Sequence, residues 1–264
     1  MVLVNTCPID GFLLMIYTVL DSNIYLRNQF KLSNNKLDKL YLEIWQNYEM
    51  GHFDSGKIAW CVYANLVSLN DTNISSNIKK AVDLFGNEIE RIFCILGQHR
   101  LSVERFCRRC CQSQTSLLFE HYTVVPIYPI HSDLGNIVTK SVRAYLYKQL
   151  DMTCNNIKNG ETCHGNIVQH FLEPPLIVVV NLYFLKLSQY KHKSSEIPEK
   201  VETNGMVYSL KMVRFFQNDI KHFVDKIEIE GIWTLYNNCK EQLYYFDEDP
   251  DGVLLSSCYY VLQS

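Results

Sequence analysis

The sequence has no excess of basic residues. Its 25 Lys and Arg side chains stand against 28 Asp and Glu side chains, which gives a net charge of −3 over 264 residues. Proteins that bind nucleic acid through the phosphate backbone need a basic patch or stripe. The two arginines between Cys107 and Cys110 do not continue into such a stripe. The composition therefore argues against a nucleic-acid partner.

Long apolar runs are also missing, and no stretch reaches the roughly 20 residues that a membrane-spanning helix needs. The best late candidate, "PPLIVVVNLYFLKL", is interrupted by Asn181 and has a strand-like composition. Phe12 to Leu20 has the length of a signal-peptide core, but no Lys or Arg precedes it, and Asn5 and Asp10 interrupt the region. Neither a membrane partner nor a cleaved leader is predicted.

Internal repeats and low-complexity segments are absent as well, and the chain is 47% hydrophobic, enough for a large core. It has ten cysteines, but disulfide scaffolds are usually shorter chains with a higher density of cysteine. Four of the ten fall into two local groups, Cys107 with Cys110 and Cys154 with Cys163. This grouping favours metal binding in a reducing compartment, and we expect the cytoplasm, the nucleus or both.

Helical periodicity predominates over the first hundred residues and β-type residues predominate later. The predicted helices are "PIDGFLLMIYTVLDSN", "KLDKLYLEIWQNY", "SGKIAWCVYANLVSL" and "IKKAVDLFGNEIERIFCILGQH". The segment "NIVTKSVRAYLYKQL" is interpreted as a strand followed by a helix, and strands follow from "PPLIVVVNLYFL" onward. Helices first and strands later predict the α+β class.

Cys7 lies directly before Pro8, a residue that favours the first position of a helix, so Cys7 is predicted to be the N-cap. The field of a helix N-terminus stabilises a thiolate, which is the nucleophilic form of cysteine. Asp10 in the first turn opposes this effect. A buried, unreactive cysteine is the alternative interpretation of the same pattern.

A nucleophilic cysteine needs a base and a group that orients the base, and the far end of the chain offers both. His222 and Asn237 stand at the outer ends of two predicted strands that are joined by a turn at Glu230-Gly231. A hairpin would let Asn237 accept a hydrogen bond from the imidazole and fix its tautomer. Asn238 and Asp225 are rivals for this orienting role, and an ordinary surface or core histidine is the alternative.

The Cys107-Arg-Arg-Cys110 knuckle can direct two thiolates at one Zn²⁺ ion. Cys154 and Cys163, after an intervening β excursion, would complete a structural zinc site. Substitute ligands are Cys111, His164 and His121, and a group of free thiols is the alternative.

Three separated segments resemble the ubiquitin-specific protease class of papain-like cysteine peptidases. The cysteine box reads Cys7-Pro8-Ile9-Asp10-Gly11-Phe12-Leu13-Leu14, and the histidine box reads "YSLKMVRFFQNDIKHFVDKIEIEGIWTLYNN". Between the two boxes, Glu173-Pro174-Pro175-Leu176-Ile177 is similar to the family's proline-led strand, and after the histidine box "CYYVL" is similar to the family's last strand. The resemblance covers nearly the whole chain in order.

This resemblance implies one catalytic domain with a papain-like fold. It would consist of a helical thumb (1–105), zinc-pinned β fingers (106–165) and an antiparallel β palm (166–264). It also implies a thiol isopeptidase that removes ubiquitin or a ubiquitin-like modifier such as SUMO from lysine. By the same resemblance Cys7 is the nucleophile, His222 the general base and Asn237 the orienting residue.

Two positions depart from the family pattern. Val2 stands where members carry an Asn or Gln that helps to build the oxyanion hole, and Asn5 is the nearest substitute. Asp10 stands where members carry Asn. The chain begins only six residues before Cys7, which leaves open an upstream segment or a reduced, divergent member. These departures support an alternative function, a catalytically silent module that binds a modifier or another protein.

Overall fold

The structure is a computed structural model, and the residues that it describes are 2–67, 81–84, 86, 88–93, 96, 101–118, 123–124, 133–158, 160–183, 185, 192–237, 242–245 and 248–263. The chain divides into two compact units, each built from two separate stretches. The first unit draws on 1–95 and 212–254, and the second on 96–211 and 255–263. The helices and mainly antiparallel sheets confirm the α+β class. The proposed thumb, fingers and palm remain a prediction.

The first unit has a helical part and a β part. Its elements are β1 (Val2–Val4), α1 (Cys7–Ser22), α2 (Ile24–Leu32), α3 (Lys36–Glu49), α4 (Phe53–Tyr63), β2 (Ala81–Asp83), a π-helical turn (Ile89–Phe93), the end of β12 (Met206–Gln217), β13 (His222–Ile229), β14 (Ile232–Asn237) and β15 (Gln242–Tyr245). Strands β12 to β15 pair antiparallel in sequence order, and β1 pairs with β2 in parallel.

Helix α1 forms the centre of the first unit. Most of its side chains are buried, and Phe12 packs against Trp60 of α4 with ring centroids 5.1 Å apart. None of the described helices is by itself long and apolar enough to cross a membrane. Helices α1 and α2 meet that criterion only when joined across a bend of 102°. The burial of α1 agrees with its interpretation as a core helix.

The second unit contains the cysteine-rich segment and most of the remaining strands. Its elements are β3 (Leu101–Cys107), β4 (Ser113–Leu118), β5 (Thr123–Val124), α5 (Leu134–Leu146), β6 (Tyr147–Thr153), β7 (Ile157–Lys158), β8 (Glu161–Thr162), β9 (Asn166–Phe171), β10 (Ile177–Asn181), a 3-10 turn (Ser194–Glu196), β11 (Lys200–Thr203), the start of β12 and most of β16 (Val253–Leu262). One four-stranded sheet has the order β4-β3-β9-β6. Strand β10 pairs antiparallel with β16 and parallel with β5.

Two of the helix and strand predictions are wrong. The predicted helix over 78–99 contains strand β2 and one π-helical turn, because Ala81–Asp83 pairs with Val2–Val4 and this tertiary pairing outweighs local helical preference. The segment after Asn136 forms helix α5 first and strand β6 second, the reverse of the predicted order. The side chain of Asp133 accepts a hydrogen bond from the Gly135 N–H (2.9 Å) and caps that helix.

Candidate catalytic centre and cysteine cluster

Cys7 is the first residue of α1, and Thr6 rather than Cys7 occupies the N-cap position. The prediction was therefore displaced by one residue. Asn5 adopts a left-handed backbone conformation (φ 54°), a conformation that asparagine tolerates, and it turns the chain from β1 into the helix. The thiol is thus attached at the positive end of the helix dipole, as the position of Pro8 predicted.

The half-buried thiol of Cys7 accepts a hydrogen bond from the backbone N–H of Phe223, at the start of β13. Burial raises the pKa of Cys7, whereas this N–H group and the Arg214 guanidinium lower it. The carboxylates of Asp10 and Asp225 raise it further, and the net pKa lies above the ordinary value of 9.0. The net effect favours the neutral thiol over the thiolate, so a neighbouring base would promote ionisation of Cys7.

His222 and Asn237 are joined by a hydrogen bond between Nε2 and Oδ1 of 2.9 Å. Strands β13 and β14 pair Asp225 with Tyr236, which sets Asn237 across from Val224, on the same face of the sheet as His222. Because a carbonyl oxygen only accepts, Nε2 carries the hydrogen in this bond, and Nδ1 is the basic nitrogen of that tautomer. The predicted hairpin therefore brings these two residues together.

Within the first unit, the start of α1, which carries Cys7, lies against the start of β13, which carries His222. Cys7 contacts the backbone of Phe223, and Phe223 directly follows His222. His222 is 5% exposed, so its ring is shielded from bulk water. A thiol, an imidazole and an amide that orients the imidazole are the groups that nucleophilic cysteine chemistry needs.

Asp225, one of the rivals for the orienting role, binds a different partner. It lies directly opposite Arg214 in the β12–β13 register, and the guanidinium donates to both its oxygens at 2.5 and 2.9 Å. Burial raises the pKa of Asp225, and the guanidinium lowers it. Asn238, the other rival, lies outside the described residues.

Sequence reasoning missed Arg214, which is fully buried. Its Nη1 donates to the carbonyl oxygen of Pro8 (2.6 Å) and approaches Oε1 of Glu88 at 3.4 Å. The signal in the sequence was an arginine inside the apolar run "MVRFF", followed by an acid in the next strand. A charge in such a run needs a buried partner, and Asp225 provides one.

Asn5, Thr6 and Asp10, the polar side chains around Cys7, each have a partner. The Asn5 side chain donates to Oδ1 of Asp83 at 2.9 Å. Thr6 Oγ1 donates to Oδ2 of Asp10 at 2.6 Å, and Lys57 Nζ lies 3.0 Å from Oδ1 of Asp10. The Asp10 charge is therefore paired, and the amide of Asn5 keeps a second N–H beyond the one given to Asp83.

The second unit brings together the four cysteines that were predicted as metal ligands. The sulfur atoms of Cys107, Cys110, Cys154 and Cys163 all lie within 4.8 Å of one another. Cys107 and Cys163 are 3.5 Å apart, and Cys110 and Cys154 are 3.6 Å apart. Cys107 and Cys110 come from the β3–β4 hairpin, whereas Cys154 and Cys163 flank the small β7–β8 hairpin between β6 and β9.

Backbone N–H groups point at all four sulfur atoms. Each cysteine accepts a hydrogen bond from the residue two positions later in the chain: Arg109, Gln112, Asn156 and Gly165. Such bonds favour thiolates, and they lower the pKa of Cys110 to about 6, whereas burial raises the pKa of Cys163 to about 11. Four sulfur ligands that converge on one point, with backbone N–H groups directed at them, are the donor set of a tetrahedral metal site, so the cluster fits a metal ion.

The backbone at Gly165 lies directly against the four-cysteine cluster. A Cβ atom at Gly165 would lie 2.6 Å from the Cys107 sulfur, so only glycine fits there. Cys111 and His164, two of the substitute ligands considered from sequence, are not members of the four-cysteine group. The third, His121, lies outside the described residues.

Comparisons with known proteins found several similar solved structures. One is the Saccharomyces cerevisiae apo Pan2 pseudoubiquitin hydrolase–RNA exonuclease module, with 10% identity over 95% of this chain and 52% of that one, at a TM-score of 0.47. Another is a SAGA DUB module of Ubp8, Sgf11, Sus1 and Sgf73. It has 12% sequence identity, the match covers 99% of this chain and 67% of that one, and the TM-score is 0.44. The MERS coronavirus papain-like protease has 10% sequence identity. The match covers 89% of this chain and 60% of that one, with a TM-score of 0.39.

The chain spans about half the length of the Pan2 chain that it matches. A family model described as dopamine receptor-interacting protein 1 matches residues 1–264, the full length of the sequence. The chain therefore belongs to the dopamine receptor-interacting protein 1 family.

Proposed function

We propose that the protein is a cysteine-type isopeptidase that removes ubiquitin or a ubiquitin-like modifier such as SUMO from lysine side chains. The observation that carries this proposal is the meeting of Cys7 with the start of β13. There the thiol contacts the Phe223 N–H, and the adjacent His222 is held by Asn237 at 2.9 Å. The resemblance of the cysteine and histidine boxes to ubiquitin-specific proteases supplies the substrate class.

In the proposed reaction, His222 Nδ1 takes the proton of the Cys7 thiol, and the thiolate attacks the carbonyl carbon of the modifier's C-terminal glycine. The imidazolium then gives its proton to the departing lysine amine, and a thioester remains on Cys7. Water, deprotonated by His222, hydrolyses that thioester and restores the thiol. Asn237 keeps the imidazole in the tautomer that these transfers need.

The negative oxygen of the tetrahedral intermediates needs hydrogen-bond donors. We propose the backbone N–H of Cys7 and the second amide N–H of Asn5 for this role. Val2 provides no side-chain donor at the position where an amide was expected. Fewer donors would slow the chemical step and leave binding of the modifier intact.

We further propose that the four-cysteine cluster holds a structural zinc ion. Four sulfur atoms at about 2.3 Å from one zinc ion stand roughly 3.8 Å apart, and the observed separations of 3.5 and 3.6 Å are close to this value. The ion would tie the β3–β4 hairpin to the β6–β9 connection and take no part in the chemistry. A reducing compartment keeps the cysteine ligands and the nucleophile as thiols, so we propose the cytoplasm, the nucleus or both as the location.

The test is a panel of ubiquitin and SUMO probes that carry a C-terminal electrophile. Wild type is expected to form a covalent adduct with at least one probe, and Cys7→Ala none. An adduct that persists in Cys7→Ala would eliminate Cys7 as the nucleophile. The probe that reacts faster identifies the modifier.

A second candidate function is a silent module on the same fold that binds a modifier or another protein without cleaving it. The raised pKa of Cys7, with burial as its main cause and two carboxylates adding to it, favours this candidate. The family's name, dopamine receptor-interacting protein, describes a binding role of this kind. Saturable binding of a modifier without adduct formation or turnover would select this function.

A further inference from the structure

Arg214 connects the two segments that carry the proposed catalytic residues. Its guanidinium donates to the carbonyl oxygen of Pro8, the residue after Cys7, at 2.6 Å. The same guanidinium lies 5.4 Å from the ring centroid of Phe223, the residue after His222. One buried cation thus contacts the immediate chain neighbour of each candidate catalytic residue.

The guanidinium is itself held rigidly. Two parallel hydrogen bonds to Asp225, at 2.5 and 2.9 Å, fix its plane against β13, and both side chains are buried. A planar fork of this kind gives geometric specificity that a lysine ammonium does not. Strand β13, the guanidinium and the first turn of α1 therefore form one continuous set of hydrogen bonds.

Stability alone is a weak explanation for this pair. Removing two charges from water costs free energy that their attraction often only balances, and apolar residues of similar volume are frequently as stable. The contact with Pro8 indicates a geometric role, because it joins α1 to β13 at the turn that bears the thiol. Gly11 supports this, since it allows Asp225 to lie directly against the helix.

We propose that Arg214 is a positioning residue that fixes the Cys7 thiol relative to the imidazole of His222. The roles of Cys7 and His222 come from the proposed function, and Arg214 acts only through them. It does not touch the reacting atoms. Its removal is expected to let the first turn of α1 shift, which weakens proton transfer from Cys7 to His222.

The test is a double-mutant cycle read by alkylation of Cys7 with iodoacetamide at neutral pH. This reaction needs no ubiquitin, so it is independent of the substrate assignment. Trypsin cannot cut before Arg27, and the peptide 1–27 contains Cys7 as its only cysteine, so mass spectrometry follows this thiol alone. The four proteins are wild type, Arg214→Lys, His222→Ala and the double variant.

Arg214→Lys keeps the charge but loses the fork, and we expect roughly tenfold slower alkylation because small displacements of reacting groups have large effects on rate. In the His222→Ala background the same substitution is expected to change the rate less than about twofold. Equal slowing in both backgrounds, or no slowing in either, would overturn the positioning role. Arg143→Lys is the matched control, since Arg143 is an exposed arginine in the second unit whose Nε donates to a backbone carbonyl.

If Arg214→Lys does not fold, the triple variant Arg214→Met, Glu88→Gln, Asp225→Asn removes the three charges without leaving any of them unpaired. Because two of these charges also act on the pKa of Cys7, positioning is read from the difference between the two backgrounds: the triple variant is expected to slow alkylation more when His222 is present than in His222→Ala. A wild type that reacts with iodoacetamide in a His222-dependent way but with no modifier probe would contradict the proposed function and leave the Arg214 inference supported.

Discussion

Gly11 of helix α1 lies so close to Asp225 of strand β13 that a Cβ atom at position 11 would overlap Oδ2 of Asp225. Glycine here is a packing requirement, because it lets the helix that carries Cys7 approach the strand that carries His222. The Asp225 carboxylate fills that space and accepts a hydrogen bond from Arg214 at each of its oxygens. The spacing between helix and strand therefore depends on these residues together.

Gly11→Ala is expected to destabilise the protein. In a solvent-exposed helix this exchange stabilises by about 1 kcal/mol, but overpacking of a buried site costs roughly 1–3 kcal/mol or more. Urea unfolding measures the difference. Ser22→Ala in the exposed last turn of the same helix is the control and should stay within about 0.5 kcal/mol of wild type. An increase in stability for Gly11→Ala would show that helix and strand are not in close contact.

Neighbouring cysteines give a matched pair of variants for the metal site. Cys110 belongs to the four-sulfur cluster, whereas Cys111 is exposed and is not a member. Purified wild type is expected to contain about one zinc ion per chain by elemental analysis. Cys110→Ser should lose this zinc, and Cys111→Ser should keep it. Equal zinc contents in both variants would contradict the assigned ligand set.

Alkaline pH should destabilise the protein in part through Cys61. Burial raises the pKa of this fully buried thiol from 9.0 to about 12. The folded state then keeps the proton while the unfolded state loses it, so the contribution is intact below pH 9 and is lost as pH rises toward 12. The loss should be about 1.4 kcal/mol per pH unit.

Cys61→Ala isolates this contribution. Burial also raises the pKa of Tyr208 and Tyr260, so these two groups likewise reduce the free energy of unfolding as the pH rises. The substitution at Cys61 leaves their contribution unchanged. Urea unfolding between about pH 8 and 11 should therefore give a shallower decline for the variant than for wild type. Parallel curves would show that Cys61 ionises normally in the folded protein.

Asn237→Ala is expected to slow adduct formation with a reactive modifier probe by roughly 10- to 100-fold, because the imidazole of His222 loses the group that sets its tautomer. His222→Ala should slow it further, since the base itself is removed. Gln217→Ala is the control, because Gln217 lies directly opposite His222 in the β12–β13 register. If the control slows the reaction as much as Asn237→Ala, the hydrogen bond to Asn237 has no special role.

The parts of the site that sequence reasoning found depend on short-range patterns. The turn at Glu230 and Gly231 has positive φ angles at both residues (51° and 84°), as a tight hairpin requires, and it fixes the approach of His222 to Asn237. The Cys107–Cys110 spacing is likewise a local signature. In both cases the residues that meet are set by one turn or one knuckle.

The parts that sequence reasoning missed depend on contacts between distant segments. Arg214 is the one charge in an apolar stretch of its strand, and Asp225 stands beside Lys226, so the sequence indicates that Arg214 needs a buried partner but not which segment covers the pair. Their burial depends on α1 packing against that face. The pairing of Ala81–Asp83 with Val2–Val4 is similarly long-range, and helical periodicity over 78–99 gave no sign of it.

The central claim is that Cys7 is a nucleophile activated by His222. The most direct measurement is the rate of covalent adduct formation between the purified protein and ubiquitin or SUMO bearing a C-terminal electrophile, followed by mass spectrometry of the peptide 1–27. We predict an adduct on Cys7 in wild type, none in Cys7→Ala, and strongly reduced formation in His222→Ala. Binding of the modifier with no adduct in wild type, or an adduct that does not depend on His222, would contradict the claim.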